Sequence, residues 1–433
     1  MPEGRTAAVV VVDHDGGEMT LACLRHLAAT EWDGPLRVVL VDNASQRPLT
    51  AEQLASVGGP TAGLRPSGWS VEAVRSARNL GFAGGVNLGF AHLGVGSPGG
   101  PDLVALVNND AFVAPGWLAP LVGALDGDPA VGAAAAKLLF EPVFAPVGVT
   151  APLVAQRRGP ALGVRVVAPP GSVFGAGFDA VRPGEWWTTA PEGTVYVPVA
   201  AGPEVRLGLA AAAPGSATVA GRTVAVRPGA PTEVAVRLPA AEVSVIQNAG
   251  NELTSALWVR DRGARQPDDA RFDEPCDVWG WCGGAVLFPA SYLADVGWMD
   301  DRFFLYWEDV DLSWRGARRG WRYRYVPTSV VRHRHGASMG ALGPRFEALN
   351  QRNRLVVVAR HAGLRAATRA WARVAAEAAW FAWRDGVVAV VGRRRPSGRR
   401  VTVRLRALGG AVSILARGRW ARRGGRWRPG RGR

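Results

Sequence analysis

Lysine is almost missing from this chain: Lys137 is its single ε-amine among 433 residues, and arginine supplies the rest of the positive charge. Cysteine is scarce too. Cys23, Cys276 and Cys282 make an odd count without metal-ligand spacing, which excludes a disulfide framework or a zinc site and fits a reducing compartment. Acids are absent beyond Asp385, so the last 41 residues carry fifteen arginines and no carboxylate, while the body before them holds 36 basic and 36 acidic side chains. The formal charge of +15 therefore belongs to one end of the chain. A long apolar run is also lacking. The opening stretch Ala7 to Val12 is broken by Asp13, Asp15 and Glu18 before a secretory segment or a membrane span is complete, and a cytoplasmic protein is expected.

What is present is an alternation of buried strands and polar strand ends. Ala8 to Val12 is β-branched and continuous, as in a parallel strand covered on both faces, and Thr20 to Ala29 reads as the helix after it. Arg37 to Val41 runs into Asp42-Asn43-Ala44-Ser45, and Leu103 to Val107 runs into Asn108-Asn109-Asp110. Carboxyl ends of strands are where open α/β sheets bind ligands, so a nucleotide-binding half is expected up to about residue 140. Arg78-Asn79-Leu80-Gly81-Phe82-Ala83-Gly84-Gly85-Val86-Asn87-Leu88-Gly89 is a glycine-rich turn entering a helix, whose amides could face phosphate or ribose. Its glycines do not follow G-x-G-x-x-G and it comes after the second strand, which disfavours a nicotinamide or flavin enzyme.

A second group of signals lies in the later half. Phe303 to Trp307 is aromatic and is followed by Glu308, Asp309 and Asp311 at an expected helix start. Acids favour helix N-termini, and Asp311 is spaced to pair with Arg315, so part of the cluster has a structural explanation. Glu308 and Asp309, beside an aromatic wall that excludes water, are the candidates for a carboxylate of raised pKa acting as general base. Asp110 can hold a divalent cation through oxygen, and His333 or His335 can add a neutral imidazole ligand; turn formation and exposed loop histidines are the alternative readings.

In this order the motifs resemble the family 2 glycosyltransferases of the GT-A type, most closely the bacterial rhamnosyltransferase-like branch, over roughly residues 6–140 and 245–360. The resemblance implies a Rossmann-like, mainly parallel sheet with flanking helices. It implies a donor site drawn from Asp13, Asp42, Asn43, Asn79, Gly81, Phe82, Asn87, Asn109 and Asp110, with a manganese or magnesium ion held by Asp110 and His333. Asp309 would be the base and Glu308 its neighbour in positioning the acceptor hydroxyl or donor sugar, with Trp281, Gly283, Gly284 and Asp311 in the acceptor pocket. The implied reaction is inverting transfer of a sugar, rhamnose from dTDP-rhamnose as first candidate, to a glycan or lipid-linked acceptor in cell-envelope synthesis. Asp13-His14-Asp15 departs from the family, where an Asn-aromatic-Asn sequence is frequent.

Four segments are expected: residues 1–141 and 245–361 as the two halves of the transferase fold, 142–244 as a small all-β insert, and 362–433 as an amphipathic helix with an arginine-rich tail. The insert is rich in Gly, Pro, Ala, Val and Thr, with short alternating runs such as Thr194 to Val197. Its Trp186, Trp187 and Tyr196 suggest sugar stacking, with a core role as the alternative. In the C-terminal stretch Trp371, Trp380 and Trp383 stand among alanines and arginines, which points to an interfacial helix and an anionic membrane surface. Two rival readings were weighed: an inactive carbohydrate-binding module at the membrane, against which the intact Asp110, Asp309 and His333 speak, and a nucleic-acid-binding protein, which the neutral body disfavours.

Overall fold

The structure is a computed structural model and describes residues 5–57, 68–156, 161–182, 185–334, 343–388 and 398–417. Strand β1 (Ala7–Asp13) is the first of a ten-stranded sheet. Its β-branched run is buried on both faces, because helices α1 (Glu18–Ala28) and α3 (Gly81–Leu93) lie on opposite sides. β2 (Leu36–Asp42), β3 (Ser70–Arg75) and β4 (Leu103–Val107) run parallel to it, separated by α1, α2 (Ala51–Val57) and α3. In this register Asp13 lies beside Asp42, which puts both carboxylates at one sheet edge.

Beyond β4 the sheet becomes mixed. It contains β5 (Ala111–Val113), β6 (Val131–Phe140), β7 (Ile246–Asn248), β8 (Cys276–Val278), β9 (Ala285–Pro289) and β10 (Arg322–His333). The order is β8-β10-β6-β9-β4-β1-β2-β3, with β7 on β6 and β5 on β10. β10 runs parallel to β6, whereas β9 is antiparallel to both β6 and β4. Helices α4 (Leu118–Asp126), α5 (Ala290–Val296) and α6 (Glu308–Ala317) cover this half, completing the GT-A architecture that was expected.

The segment between β6 and β7 folds into two five-stranded antiparallel sheets facing each other over a core of Val147, Val195, Leu207, Leu209 and Val234. Its ends are adjacent, since Phe144 and Val243 exchange both backbone hydrogen bonds at 2.9 and 2.8 Å. β6 and β7 therefore still pair, Leu139 with Ile246, as if the insert were a long hairpin tip. Its aromatics are largely spoken for. Tyr196 is buried, and the Trp186 ring is stacked on Phe174 at 5.1 Å with the Arg265 guanidinium also 5.1 Å from its centroid. The expectation of sugar stacking fails for these two side chains, because neighbours occupy their surfaces.

Three helices follow the sheet: α7 (Pro344–His361), α8 (Leu364–Ala382), continued by one π turn over Trp383–Val387, and α9 (Arg399–Arg417). They share a core with Phe303, Trp307 and Val310. No helix among the described residues is long and apolar enough to cross a membrane. Of the arginine-rich tail, residues 389–397 and 418–433 lie outside the described residues, as does His335.

Candidate active site

Strand pairing builds the first part of the site. Asp110 directly precedes β5, whose Ala111 pairs with His333 at the end of β10, and the Arg334 amide donates to the Asp110 carbonyl at 2.9 Å. Two residues more than 200 positions apart are thereby joined, with His333 Nε2 lying 2.9 Å from Asp110 Oδ1. The other ring nitrogen, Nδ1, lies 2.7 Å from Gln247 Oε1, and Nε2 is also 3.3 Å from Asn108 Nδ2. A carboxylate and an imidazole oriented by an outer amide are a sound donor set for a divalent ion. Among the described residues no three His, Cys, Asp or Glu side chains converge.

The donor-side candidates separate into two kinds. Asp13 Oδ1 accepts from Thr20 Oγ1 at 2.6 Å, Asn109 Nδ2 at 2.9 Å and the Gly16 amide at 3.0 Å, so Asp13 and Asn109 are tied to each other in shaping the loop after β1. Asp42 takes the Ser45 amide at 2.8 Å and stands 3.0 Å from an Arg75 nitrogen. Asn43 braces the turn before α3, accepting from the Leu80 amide at 2.8 Å and donating to the Gly81 carbonyl at 3.0 Å, and Asn79 Oδ1 accepts from the Gly81 amide. Asn87 is buried and donates to the Met299 carbonyl at 2.8 Å, while no hydrogen-bond partner of its Oδ1 is found among the described residues. Two glycines of this segment, Gly85 and Gly89, are explained by helix-to-sheet contact. A Cβ on Gly89 would stand 2.5 Å from Val10 Cγ1, so only glycine lets α3 lie this close to β1.

Gly283 and Gly284 cross the floor between the two halves. The Gly284 carbonyl accepts from the Asn108 amide at 3.0 Å, and a Cβ there would lie 3.6 Å from the His333 ring. Gly283 touches Phe82 on one side and gives a backbone hydrogen bond to Asp309 on the other. Asp110 and His333 thus lie on one side of two residues without side chains, and Asp309 on the other.

Glu308 and Asp309 open α6, where the helix dipole favours negative charge. Both are nevertheless held above the usual carboxylate range, in each case chiefly because burial penalises the charged form. The Asp309 charge adds to the effect on Glu308, and the nearby Asp261 carboxylate adds to that on Asp309. Glu308 is 5% exposed and its Oε2 has no hydrogen-bond partner. Asp311, on the same helix, behaves oppositely. Burial would raise it, but Arg315 at 2.9 Å, His361 at 2.9 Å and Arg360 at 3.3 Å hold it well below the ordinary range. It belongs to a buried ion cluster. Trp281 is fully buried, edge-on to Phe288 at 4.8 Å.

The loop ahead of α6 is the feature that sequence reasoning missed. Phe304, Tyr306 and Trp307 have φ of 66°, 71° and 71°, a left-handed backbone that bulky side chains avoid at a cost of about 1–3 kcal/mol each. The Phe304 carbonyl is held by the Phe82 amide at 2.6 Å. From the opposite side α7 supplies Asn353, whose Nδ2 donates to the carbonyls of Phe303, Leu305 and Tyr306 at 3.0, 2.9 and 2.7 Å. Arg352 reaches the Arg302 and Phe303 carbonyls, and the Trp307 indole donates to Asn350 Oδ1 at 2.6 Å. The hint in the sequence is a run of amide and guanidinium residues, Asn350 to Arg354, just ahead of the apolar stretch Leu355 to Ala359.

Residues 8–144 match the family described as "Glycosyl transferase family 2". The match covers 137 of the 433 residues. Over 130 residues it is 29% identical to the N-acetylglucosaminyl-diphospho-decaprenol L-rhamnosyltransferase of two Mycobacterium tuberculosis strains, CDC 1551 and H37Rv. That alignment spans 30% of this chain and 42% of the relatives' length. Among solved structures, GalNAc-T7 with UDP, GalNAc and Mn2+ is similar at a TM-score of 0.42 and 15% identity, over 83% of this chain and 48% of that one. The mannosyltransferase PcManGT from Pyrobaculum calidifontis, with GDP-Man and Mn2+, gives 0.41 and 14% over 96% and 89%. In the transferase domain the matched segment holds Asp13, Asp42 and Asp110, whereas His333, Glu308 and Asp309 come from outside it.

Proposed function

We propose that the protein transfers a sugar from a nucleoside diphosphate donor to an acceptor hydroxyl with inversion. The observation that carries this reading is the opposition of Asp110 and His333 to Asp309 across the Gly283–Gly284 floor. Asp110 and His333 would hold a divalent ion, which offsets the negative charge that develops on the departing diphosphate. Asp309, carrying a raised proton affinity, takes the proton from the acceptor hydroxyl as that oxygen attacks the anomeric carbon. Glu308 keeps the hydroxyl oriented, and the two glycines leave room for the sugar ring. The Asn43–Asn79–Gly81 turn and Asp42 line the nucleoside side.

Rhamnose from dTDP-rhamnose is the first donor to test, because the curated relatives carry that sugar in their name. The same name motivates a lipid-linked acceptor. Exposed Trp383, Val387 and Val388, together with the acid-free stretch beyond Asp385, support docking of the C-terminal helices on an anionic membrane surface. The test is a panel of nucleotide sugars with Mn2+ or Mg2+, scored for hydrolysis and for transfer to membrane extract. One donor is expected to turn over, Asp309→Asn to lower the rate by roughly 10²–10⁴, and Asp110→Ala to lower both rate and metal-dependent donor affinity. Full activity of Asp309→Asn would remove the base assignment, and a protein that binds a sugar polymer but cleaves no donor would be the binding module instead.

A further inference from the structure

We infer that Asn353, on α7, is a positioning residue for the carboxylate pair at the start of α6, setting where Asp309 stands relative to the acceptor hydroxyl. This deepens the transfer reaction proposed above and rests on it. Asn353 is fully buried, and its amide nitrogen gathers three consecutive-loop carbonyls that would otherwise be turned apart by the left-handed backbone at Phe304 and Tyr306. Its Oδ1 accepts from Arg352 Nε at 2.8 Å, which fixes the amide so that nitrogen faces the loop. Side chains of similar length cannot do the same work. Aspartate would set an acceptor against three acceptors, and leucine would take this donor from the Leu305 and Tyr306 carbonyls, leaving Phe303 to Arg352 and the Leu305 amide.

The geometry also says what the grip is for. The loop is held at two places only a few residues apart: by Phe82 at the entrance of α3, on the donor side, and by α7, on the side away from it. Trp307, the last residue of the loop, is the αL residue from which α6 departs, so its conformation aims the first turn and with it Glu308 and Asp309. α7 has no carboxylate near this point; the titratable groups around Asp309 are Glu308, Asp261 and Cys282, with Tyr306 beside Glu308. Asn353 therefore acts on Asp309 through the backbone and not through charge.

The experiment uses the full chain with Mn2+ and the nucleotide sugar hydrolysed fastest in the panel above, comparing wild type, Asn353→Ala and Asn350→Ala. Asn350 is exposed and holds only the Trp307 indole, so its substitution leaves the fold intact. The expected result for Asn353→Ala is a fall in kcat of tenfold or more with donor Kd within twofold. The acid limb of its pH–rate profile should move to lower pH, as a loosened loop admits water to Asp309. Asn350→Ala should shift both quantities in the same direction by a smaller factor. Unchanged kcat and an unchanged acid limb in a folded Asn353→Ala protein overturn the inference; if that variant does not fold, the same null result for Asn350→Ala does so. The transfer reading is judged separately by Asp309→Asn: an inactive Asp309→Asn beside a fully active Asn353→Ala condemns only the positioning role.

Discussion

Glu308 and Asp311 are three residues apart on one helix, and their surroundings drive them in opposite directions. Glu308 binds its proton more tightly in the folded chain than in the unfolded one, so its contribution to stability is present at low pH and is lost as pH rises through its folded-state value. Glu308→Gln should therefore raise the thermal midpoint at alkaline pH by a few degrees, for about 1–2 kcal/mol, and the gain should vanish in acid. Thermal melts across a pH series check both the sign and the window. Asp311 is the reverse case, stabilising above its unfolded value and losing this as pH falls through the depressed folded one. Asp311→Asn leaves Arg315, Arg360 and His361 without their shared carboxylate, for an expected loss of about 3 kcal/mol in denaturant titration. The spacing already set Asp311 apart as a partner for Arg315, and the fold adds His361 and Arg360 from α7, which no local pattern announces.

At the scale of elements, α3 and α7 are the two parts that hold the catalytic loop, and each does so by close approach. α3 lies against β1 through glycines, and Gly89→Ala would force a methyl group to within 2.5 Å of Val10. The expected cost is about 1–3 kcal/mol, seen as a lowered urea midpoint. Since the Phe82 amide holds the Phe304 carbonyl, the same substitution should also weaken donor turnover in the folded protein. The sequence signalled a glycine-rich turn leading into a helix, and such a helix is present. What the spacing could not say is that these glycines face the sheet, since the same pattern serves phosphate approach and helix contact alike. α7 left a weaker trace, the polar run Asn350 to Arg354, and only the burial of Asn353 and Arg354 reveals the contacts.

For the whole molecule, the insert raises the question of separability. Its core is its own, and its ends meet as a bridged pair at Phe144 and Val243. Replacing residues 145–242 by an Asn-Gly turn should give a protein that still binds the nucleotide sugar with unchanged Kd, because β6 and β7 pair without help. A fall in the melting temperature is expected, since Arg265 would lose the Phe174 and Phe178 carbonyls and the Trp186 ring. Loss of donor binding in that variant would instead make the insert part of the site.

The continuous β-branched strands, their polar carboxyl ends, the all-β character of the insert and the tail-bound charge were all determined by the sequence alone, since each depends on local composition and period. The motifs after β2 and β4 were legible for the same reason: they are short, contiguous and attached to recognisable strands. Tertiary structure decided which of the acids and aromatics face the site. It joined His333 to Asp110 by a strand pairing across more than 200 residues, buried Trp281 and Asp311, and set α7 behind the loop that carries Glu308 and Asp309. Those outcomes depend on contacts between segments far apart in the chain, where burial and partner geometry fix each side chain's role and no local pattern records them.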